Sequence, residues 1–139
     1  MSKEKITEEE LREHYVQMQM LDGQVKQISQ QLQQIEMHKM EIISTKEALE
    51  NIKNSEKNAE MLAPISQGIF VKAKIADTEN FIVNVGGNVA VPKTIEETKV
   101  LLDKQIREME RAENELGEHL QNLDQEMTKK ALYLQKMME

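Results

Sequence analysis

Residues 11–49 read LREHYVQMQMLDGQVKQISQQLQQIEMHKMEIISTKEAL, with apolar side chains at alternating spacings of three and four residues. They fall into two series, each with a period of seven residues: Leu11, Met18, Val25 and Leu32; and Leu21, Ile28, Ile35, Ile42 and Leu49. A stripe with this period is the contact line, or seam, of a coiled coil. The stretch therefore predicts a long helix whose seam packs against a second helix.

The same pattern returns in the last third of the chain. Its two series are Ile95, Leu102, Met109, Leu116 and Leu123; and Ile106, Leu120, Met127 and Leu134. The nearest partner for each seam is the other helix of the same chain, so we expect an antiparallel helical hairpin. If Ile52 lies near Ile95, residue n faces a residue near roughly 147 − n, which brings Leu11 near Leu134 and Met137.

Each helix is expected to begin with a capping box, in which a Thr hydroxyl and a Glu carboxylate satisfy free amides of the first turn. The boxes are Thr7-Glu8-Glu9-Glu10 and Thr94-Ile95-Glu96-Glu97. The sequence therefore divides into a coiled-coil helix over residues 7–56, a β platform over 61–92 and a second helix over 94–139. At ~1.5 Å per residue each helix is a rod of roughly 70 Å.

Short runs of β-branched residues alternate with turn-forming residues between the helices. They predict strands at 68–75, 81–85 and 89–91, a further strand at 61–65, and a tight turn at Gly86-Gly87-Asn88, with Pro92 ending the last strand. Four short strands bury little by themselves, and their uncovered edges invite aggregation. We therefore expect an obligate oligomer, held together by these platform residues: Ile69, Phe70, Val71, Ile75, Phe81, Val83, Val85, Val89 and Val91.

Two lysines interrupt the first seam. Lys39 and Lys46 continue the series that begins at Leu11, while Met40 and Ile43 carry the apolar pattern one residue later. We expect the repeat to slip here, so that the shifted face packs on the strands. The alternative is that the lysine stems stay in the seam and only their ammonium groups reach water.

The composition excludes several classes of protein. The net charge of −7, with no uninterrupted cationic cluster, argues against nucleic acid and against an anionic membrane surface. The chain has no cysteine, which excludes disulfides and thiolate metal sites. No apolar run approaches the ~20 residues of a membrane span, and residues 1–10 are too polar for a secretion signal. We expect a soluble cytoplasmic protein.

No catalytic or metal-binding constellation is visible. The residues three before His14, His38 and His119 are apolar, so the Glu-x-x-His motif of helical di-metal sites is missing. No serine lies in a nucleophile elbow, and Gly86-Gly87-Asn88 is followed by a strand rather than a phosphate-binding helix. We therefore expect no cofactor, no metal and no enzymatic activity.

Methionine is enriched, with ten residues against two phenylalanines. Several methionines map to the open end of the hairpin, where they exceed what a two-helix seam needs. Flexible, polarizable methionines suit a surface that binds many partners. We therefore expect a variety of partner proteins to be bound by this group: Leu11, Tyr15, Met18, Met20, Tyr133, Leu134, Met137 and Met138.

The insert resembles that of the prefoldin family, in particular its α-type subunits. Leu62-Ala63-Pro64-Ile65 is similar to the family's entry to a first hairpin, although Ala63 stands where Val is usual. Phe70-Val71-Lys72-Ala73 resembles its first long strand, and residues 83–91 resemble its second hairpin. The presence of two hairpins rather than one is what resembles the α type.

This resemblance implies a mainly α fold with a small β insert, whose hairpins assemble into β-barrels between subunits. It further implies a hexamer of two α-type and four β-type chains, with six coiled coils extending from the barrels. Such a complex holds non-native proteins at its tips and delivers them to a cytosolic group II chaperonin without ATP.

One alternative stays open from the sequence. The chain could be a structural coiled-coil scaffold or filament subunit whose strands join identical copies. That reading predicts homomeric assembly and dispensable open ends.

Overall fold

A computed structural model describes residues 7–138 of the chain; Glu139, with which the second helix is predicted to end, lies outside the described residues. Helix α1 spans Glu8–Lys53 and helix α2 spans Ile95–Met138. Between them lie four strands: β1 (Glu60–Ser66), β2 (Ile69–Lys74), β3 (Asn80–Gly86) and β4 (Val89–Thr94). The prediction of two long helices joined by two β-hairpins is confirmed.

The strands form two separate antiparallel hairpins, β1–β2 and β3–β4. In the second hairpin Gly87 and Asn88 both have positive φ, at 59° and 61°. Two successive residues in the left-handed region make a type I′ turn, whose twist matches that of the strands it joins. The Asn84 side chain supports this turn by accepting a hydrogen bond from the Gly86 amide at 2.9 Å.

Strand β4 is longer than the sequence predicts. It continues through Pro92, which pairs with Ile82, to Thr94, which pairs with Asn80. The prediction that Pro92 ends the strand is therefore wrong. In a two-stranded ribbon every strand is an edge strand, and a proline is tolerated on an edge because one side of the strand needs no ladder hydrogen bond.

The predicted capping box is complete at α1 and half formed at α2. At α1 the Glu10 amide donates to Thr7 Oγ1 at 3.2 Å, and the Thr7 amide donates to Glu10 Oε2 at 3.3 Å. At α2 the Glu97 amide donates to Thr94 Oγ1 at 3.2 Å, but the Glu97 carboxylate accepts from the Thr94 hydroxyl rather than from its amide. Thr94 therefore ends β4 and caps α2 at the same point.

Replacing Thr94 by Ala is expected to destabilise the chain by about 1 kcal/mol, because the first turn of α2 loses its side-chain acceptor. Thermal unfolding followed by circular dichroism should show a Tm lower by about 4 °C. Thr128→Ala is the matched control, since the Thr128 hydroxyl only donates back to the Asp124 carbonyl within α2. Equal Tm values for the two variants would contradict the capping role.

The chain divides into two compact units. The first unit combines residues up to His38 with those from Met109 onward, and the second covers Lys39–Glu108. In the first unit Leu21, Ile28 and Leu123 are buried, and flanking residues of both series pack against them. In the second unit Ile42, Leu49 and Ile95 are buried. Burial thus follows the predicted seam, and none of the described side chains is less than 2 % exposed.

Contacts between the helices agree closely with the predicted register. In the first unit the His14 and Tyr133 rings are in contact, and Lys130 donates a hydrogen bond to Gln17. In both pairs residue n faces residue 147 − n, as the predicted register requires. The second unit departs from this register by two residues, as three ion pairs show: Lys46–Asp103, Lys99–Glu50 and Lys53–Glu96.

The predicted slip of the heptad repeat is wrong. The seam continues through Lys39 and Lys46, which are half-buried, while Met40 and Ile43 are exposed. Lys46 stays in the seam because Asp103 of the opposite helix pairs with its ammonium group. The lysine can thus cover the seam with its stem while its charge is satisfied at the edge.

The link between the two hairpins is organised by Asp77. Its Oδ1 accepts hydrogen bonds from the amides of Glu79 at 2.9 Å and Asn80 at 3.1 Å. These bonds, with the Glu79 amide contributing most, lower the pKa of Asp77 below its ordinary value of 3.8. A carboxyl whose pKa is lowered by folding stabilises the fold above pH 3.8, and that stabilisation is lost as the pH falls through the lowered pKa.

Candidate binding surfaces

The open end of the first unit is formed by residues 11–20 of α1 and 130–138 of α2. The His14 and Tyr133 rings lie 5.1 Å apart between centroids, at an interplanar angle of 48°. Beside them the Lys130 ammonium donates to the Gln17 amide oxygen. These two contacts fix the pairing of the helices at this end, so the side chains around them are held on a helical support.

The eight residues predicted to bind unfolded polypeptides divide into two groups of four. One group, half-buried in the seam, consists of Leu11, Met18, Leu134 and Met137. The other group is exposed: Tyr15 (54 %), Met20 (61 %), Tyr133 (41 %) and Met138 (66 %). The exposed group therefore presents the larger part of the apolar surface to a partner while the helices remain paired.

Two exposed apolar residues at the open end escape the sequence analysis. Val16 and Leu132 are each 54 % exposed and lie outside both seam series. Val16 is four residues before Met20, so the two share the outward face of α1. The sequence could have identified both residues, because each is an apolar residue at a helix position that the heptad repeat exposes to water.

The first hairpin has one face that is apolar except at Ser66, which pairs with Ile69. Cross-strand pairs place Met61 beside Ala73 and Ala63 beside Val71 on this face. By strand alternation Ile69 belongs to it as well, and Ile69 and Val71 are exposed by 58 % and 47 %. Half of each of these side chains is thus uncovered in the single chain.

Phe70 lies on the opposite face of the first hairpin. It pairs with Pro64, next to the pair of Leu62 with Lys72. Phe70 and Leu62 are 55 % and 60 % exposed. The sequence analysis groups Phe70 with Ile69 and Val71, but the pleat separates them. The first hairpin therefore exposes apolar side chains on both of its faces.

The second hairpin gathers all its predicted platform residues on one face. Phe81 pairs with Lys93 and Val83 with Val91 on this face, and Phe81, Val83 and Val91 are half-buried. Toward the turn, Val85 and Val89 of the same alternation are 52 % and 53 % exposed. On the other face Ile82 is 73 % exposed, although the sequence analysis does not select it.

Uncovered apolar surface on this scale calls for a partner. Soluble monomers rarely expose contiguous apolar patches larger than a few hundred Å², and larger ones mark interaction surfaces.

Across residues 7–138 there is no cluster of three or more His, Cys, Asp or Glu side chains suited to holding a metal ion. Within the same part of the chain, no helix is both long and apolar enough to cross a membrane.

The fold and these surfaces define a class: a two-helix coiled-coil subunit whose β-hairpins are left to be covered by other chains. The chain belongs to the prefoldin family, since the family profile described as "Prefoldin subunit" matches residues 3–138. Prefoldins are chaperones rather than enzymes, so the chain is a member of a family of chaperone subunits.

Similar proteins agree with this assignment. The prefoldin subunit alpha of Methanococcus aeolicus is 35 % identical over 104 residues, which are 75 % of this chain and 70 % of the relative. The prefoldin subunit alpha 1 of Thermococcus kodakarensis is 39 % identical over 98 residues, covering 70 % of this chain and 67 % of the relative.

A solved structure shares the fold. It is the cryo-EM structure of filamentous PFD from Methanocaldococcus jannaschii, with a TM-score of 0.73 and 14 % sequence identity. The match covers 80 % of this chain and 92 % of that chain.

Proposed function

We propose that this chain is the α-type subunit of a cytoplasmic prefoldin-like hexamer of two α-type and four β-type chains. The complex holds unfolded proteins without ATP and delivers them to a group II chaperonin. The observation that carries the proposal is the exposed apolar group at the open end, on a chain that belongs to a chaperone family. No nucleic acid, membrane or cofactor takes part.

The hairpins supply the assembly contacts. Their uncovered faces take strands of the β-type subunits, which pair with the hairpin edges and bury Ile69, Val71, Val85 and Val89. Burying such side chains stabilises an interface by ~25 cal/mol per Å² of apolar surface removed from water. The nine platform residues of both hairpins act together in these contacts, with Phe70 serving the opposite face from Val71.

Several weak contacts hold the unfolded protein. Each open end offers Tyr15, Met20, Tyr133 and Met138, with Val16 and Leu132 beside them. Methionine suits this role because its unbranched, polarizable side chain adapts to different partners. Once one end is bound, the other ends of the complex act at a raised effective concentration. Weak single contacts also allow release to the chaperonin.

Light scattering tests the holding activity. This chain is assembled with a β-type partner, and a chemically unfolded protein is diluted into the complex without nucleotide. The full-length chain should suppress aggregation, and a chain lacking residues 1–18 and 130–139 should suppress it much less while the complex keeps its size. Equal suppression by the trimmed complex would mean that the coiled coils of the β-type chains bind the unfolded protein. No suppression by the full-length complex would overturn the proposal.

A structural scaffold or filament subunit is the second candidate. The observation that favours it is the similarity of fold to a prefoldin solved as a filament. This candidate predicts that the chain alone forms long homomeric assemblies, visible by negative-stain electron microscopy without any β-type partner. The hexamer predicts discrete particles that need the β-type chain.

A further inference from the structure

The seam changes its chemistry within the second unit. Lys46 and Lys53 lie one heptad apart in α1, at positions that carry Leu11, Met18 and Val25 earlier in the helix. Such positions are normally apolar, and a lysine there lowers the stability of a coiled coil while restricting its choice of partner. The exposed fractions of the Lys46 and Lys53 side chains are 33 % and 47 %, so their stems lie against the seam.

Each seam lysine meets a carboxylate of the other helix. Lys46 pairs with Asp103, and Lys53 pairs with Glu96 at 3.8 Å between Nζ and Oε1. Both acids lie on α2 and are also one heptad apart. Over these two turns α1 thus carries the positive charges of the seam, and α2 carries the matching negative charges at its edge.

A third pair runs in the opposite direction. Lys99 of α2 is 30 % exposed at a seam position and pairs with Glu50 of α1. The three pairs together make the charge pattern specific for one arrangement of the helices, because each lysine of one helix needs an acid at a fixed place on the other. Partly exposed pairs add little to stability, so selection between partners is the larger consequence.

We propose that the ion pairs of Lys46, Lys53 and Lys99 select the partner of each helix, restricting α1 to pairing with α2. In a parallel pair of two α1 helices, the same seam positions face each other. Lys46 would then lie opposite Lys46 of the second copy, and Lys53 opposite Lys53, and such like-charge contacts disfavour the pair. The biological role of this selectivity rests on the proposed function. In a complex that holds several coiled coils, the ion pairs keep α1 helices of neighbouring subunits from pairing with each other.

Two half-inverted variants test the selectivity directly. K46E/K53E makes the Lys46 and Lys53 contacts acidic on both helices, and E96K/D103K makes the same two contacts basic on both, while the Lys99–Glu50 pair is unchanged. Within either variant these two contacts bring like charges together. Between the two variants, α1 of each carries charges opposite to those on α2 of the other. A reporter is available because the chain has no cysteine: Q17C/K130C puts one thiol on each helix at a position where α1 and α2 touch.

The variants carrying this reporter are unfolded together, refolded together and treated with a short bismaleimide. We expect the equimolar mixture to give at least ten times more cross-links between the two variants than either variant gives between its own copies. Cross-links within one chain should dominate in the wild type and in K46E/K53E/E96K/D103K, which inverts the Lys46 and Lys53 pairs and keeps the Lys99–Glu50 pair. The excess should fade in 1 M NaCl, where the screening length is about 3 Å.

Two controls keep the outcome interpretable. K26E/K104E changes two exposed lysines outside the seam, and Lys26 pairs with Asp22 of its own helix, so this variant should cross-link like the wild type. If a half-inverted variant does not fold alone, the mixture should regain its helical circular dichroism. Cross-links confined to single chains in the mixture, or a mixture with no more helix than its separate parts, would overturn the proposal.

Discussion

Val71→Asp is expected to abolish assembly with a β-type partner while leaving the helices of the chain intact. Val71 lies on the mainly apolar face of the first hairpin and is 47 % exposed in the single chain. A partner strand that covers this face would have to bury a carboxylate without a counter-charge, which costs several kcal/mol. A loss of about 4 kcal/mol weakens binding roughly a thousandfold.

Lys72→Asp is the matched control for this prediction. Lys72 is the next residue along the same strand and lies on the face of Phe70, where it pairs with Leu62; this position already carries a charge, so a carboxylate there places no new charge in an apolar contact. Analytical ultracentrifugation with the β-type chain should show separate subunits for the Val71 variant and intact complex for the control. Circular dichroism should give the same helical signal for both. Full assembly of the Val71 variant would show that this face is not an interface.

Replacing Met20 and Met138 by Gln is expected to weaken the holding of unfolded proteins strongly. Both side chains are well exposed at the open end, by 61 % and 66 %. Glutamine keeps the length and the helix propensity of methionine but removes its apolar contacts. The complex concentration needed for half suppression of aggregation should rise by about tenfold, which corresponds to about 1.4 kcal/mol.

M37Q/M40Q is the control, because it removes two methionines that are 66 % and 54 % exposed elsewhere on α1. Its light-scattering curve should coincide with that of the unchanged complex. Adding Tyr15→Asn, whose side chain is 54 % exposed, to the open-end variant should deepen the loss. If both methionine pairs weaken suppression equally, binding follows total exposed methionine rather than the open end.

The sequence predicts the helices and hairpins because each element has a periodic signal of its own. The heptad series and the two capping boxes place α1 and α2, and strand alternation with Gly86-Gly87-Asn88 places the second hairpin. The error at Lys39 and Lys46 has a different origin. An apolar pattern cannot show that Asp103, more than fifty residues later, supplies the charge that keeps Lys46 in the seam.

The candidate binding residues are predicted less completely, because burial depends on the partner helix as well as on residue type. Met18 belongs to a seam series and packs there, whereas Met20 lies outside both series and is exposed, yet the predicted binding group includes both. Val16 and Ile82 are missed because neither belongs to a series expected to be functional. The extent of their exposure, 54 % for Val16 and 73 % for Ile82, depends on the neighbouring elements.

The narrow line of buried residues has a thermal consequence. Six apolar side chains are buried among the described residues, and all six belong to the predicted seam. Unfolding the single chain therefore exposes little new hydrocarbon to water, and its heat-capacity change should fall below the ~12–15 cal/mol/K per residue of compact domains. A small heat-capacity change flattens the curve of stability against temperature, so the helical hairpin should lose little stability on cooling.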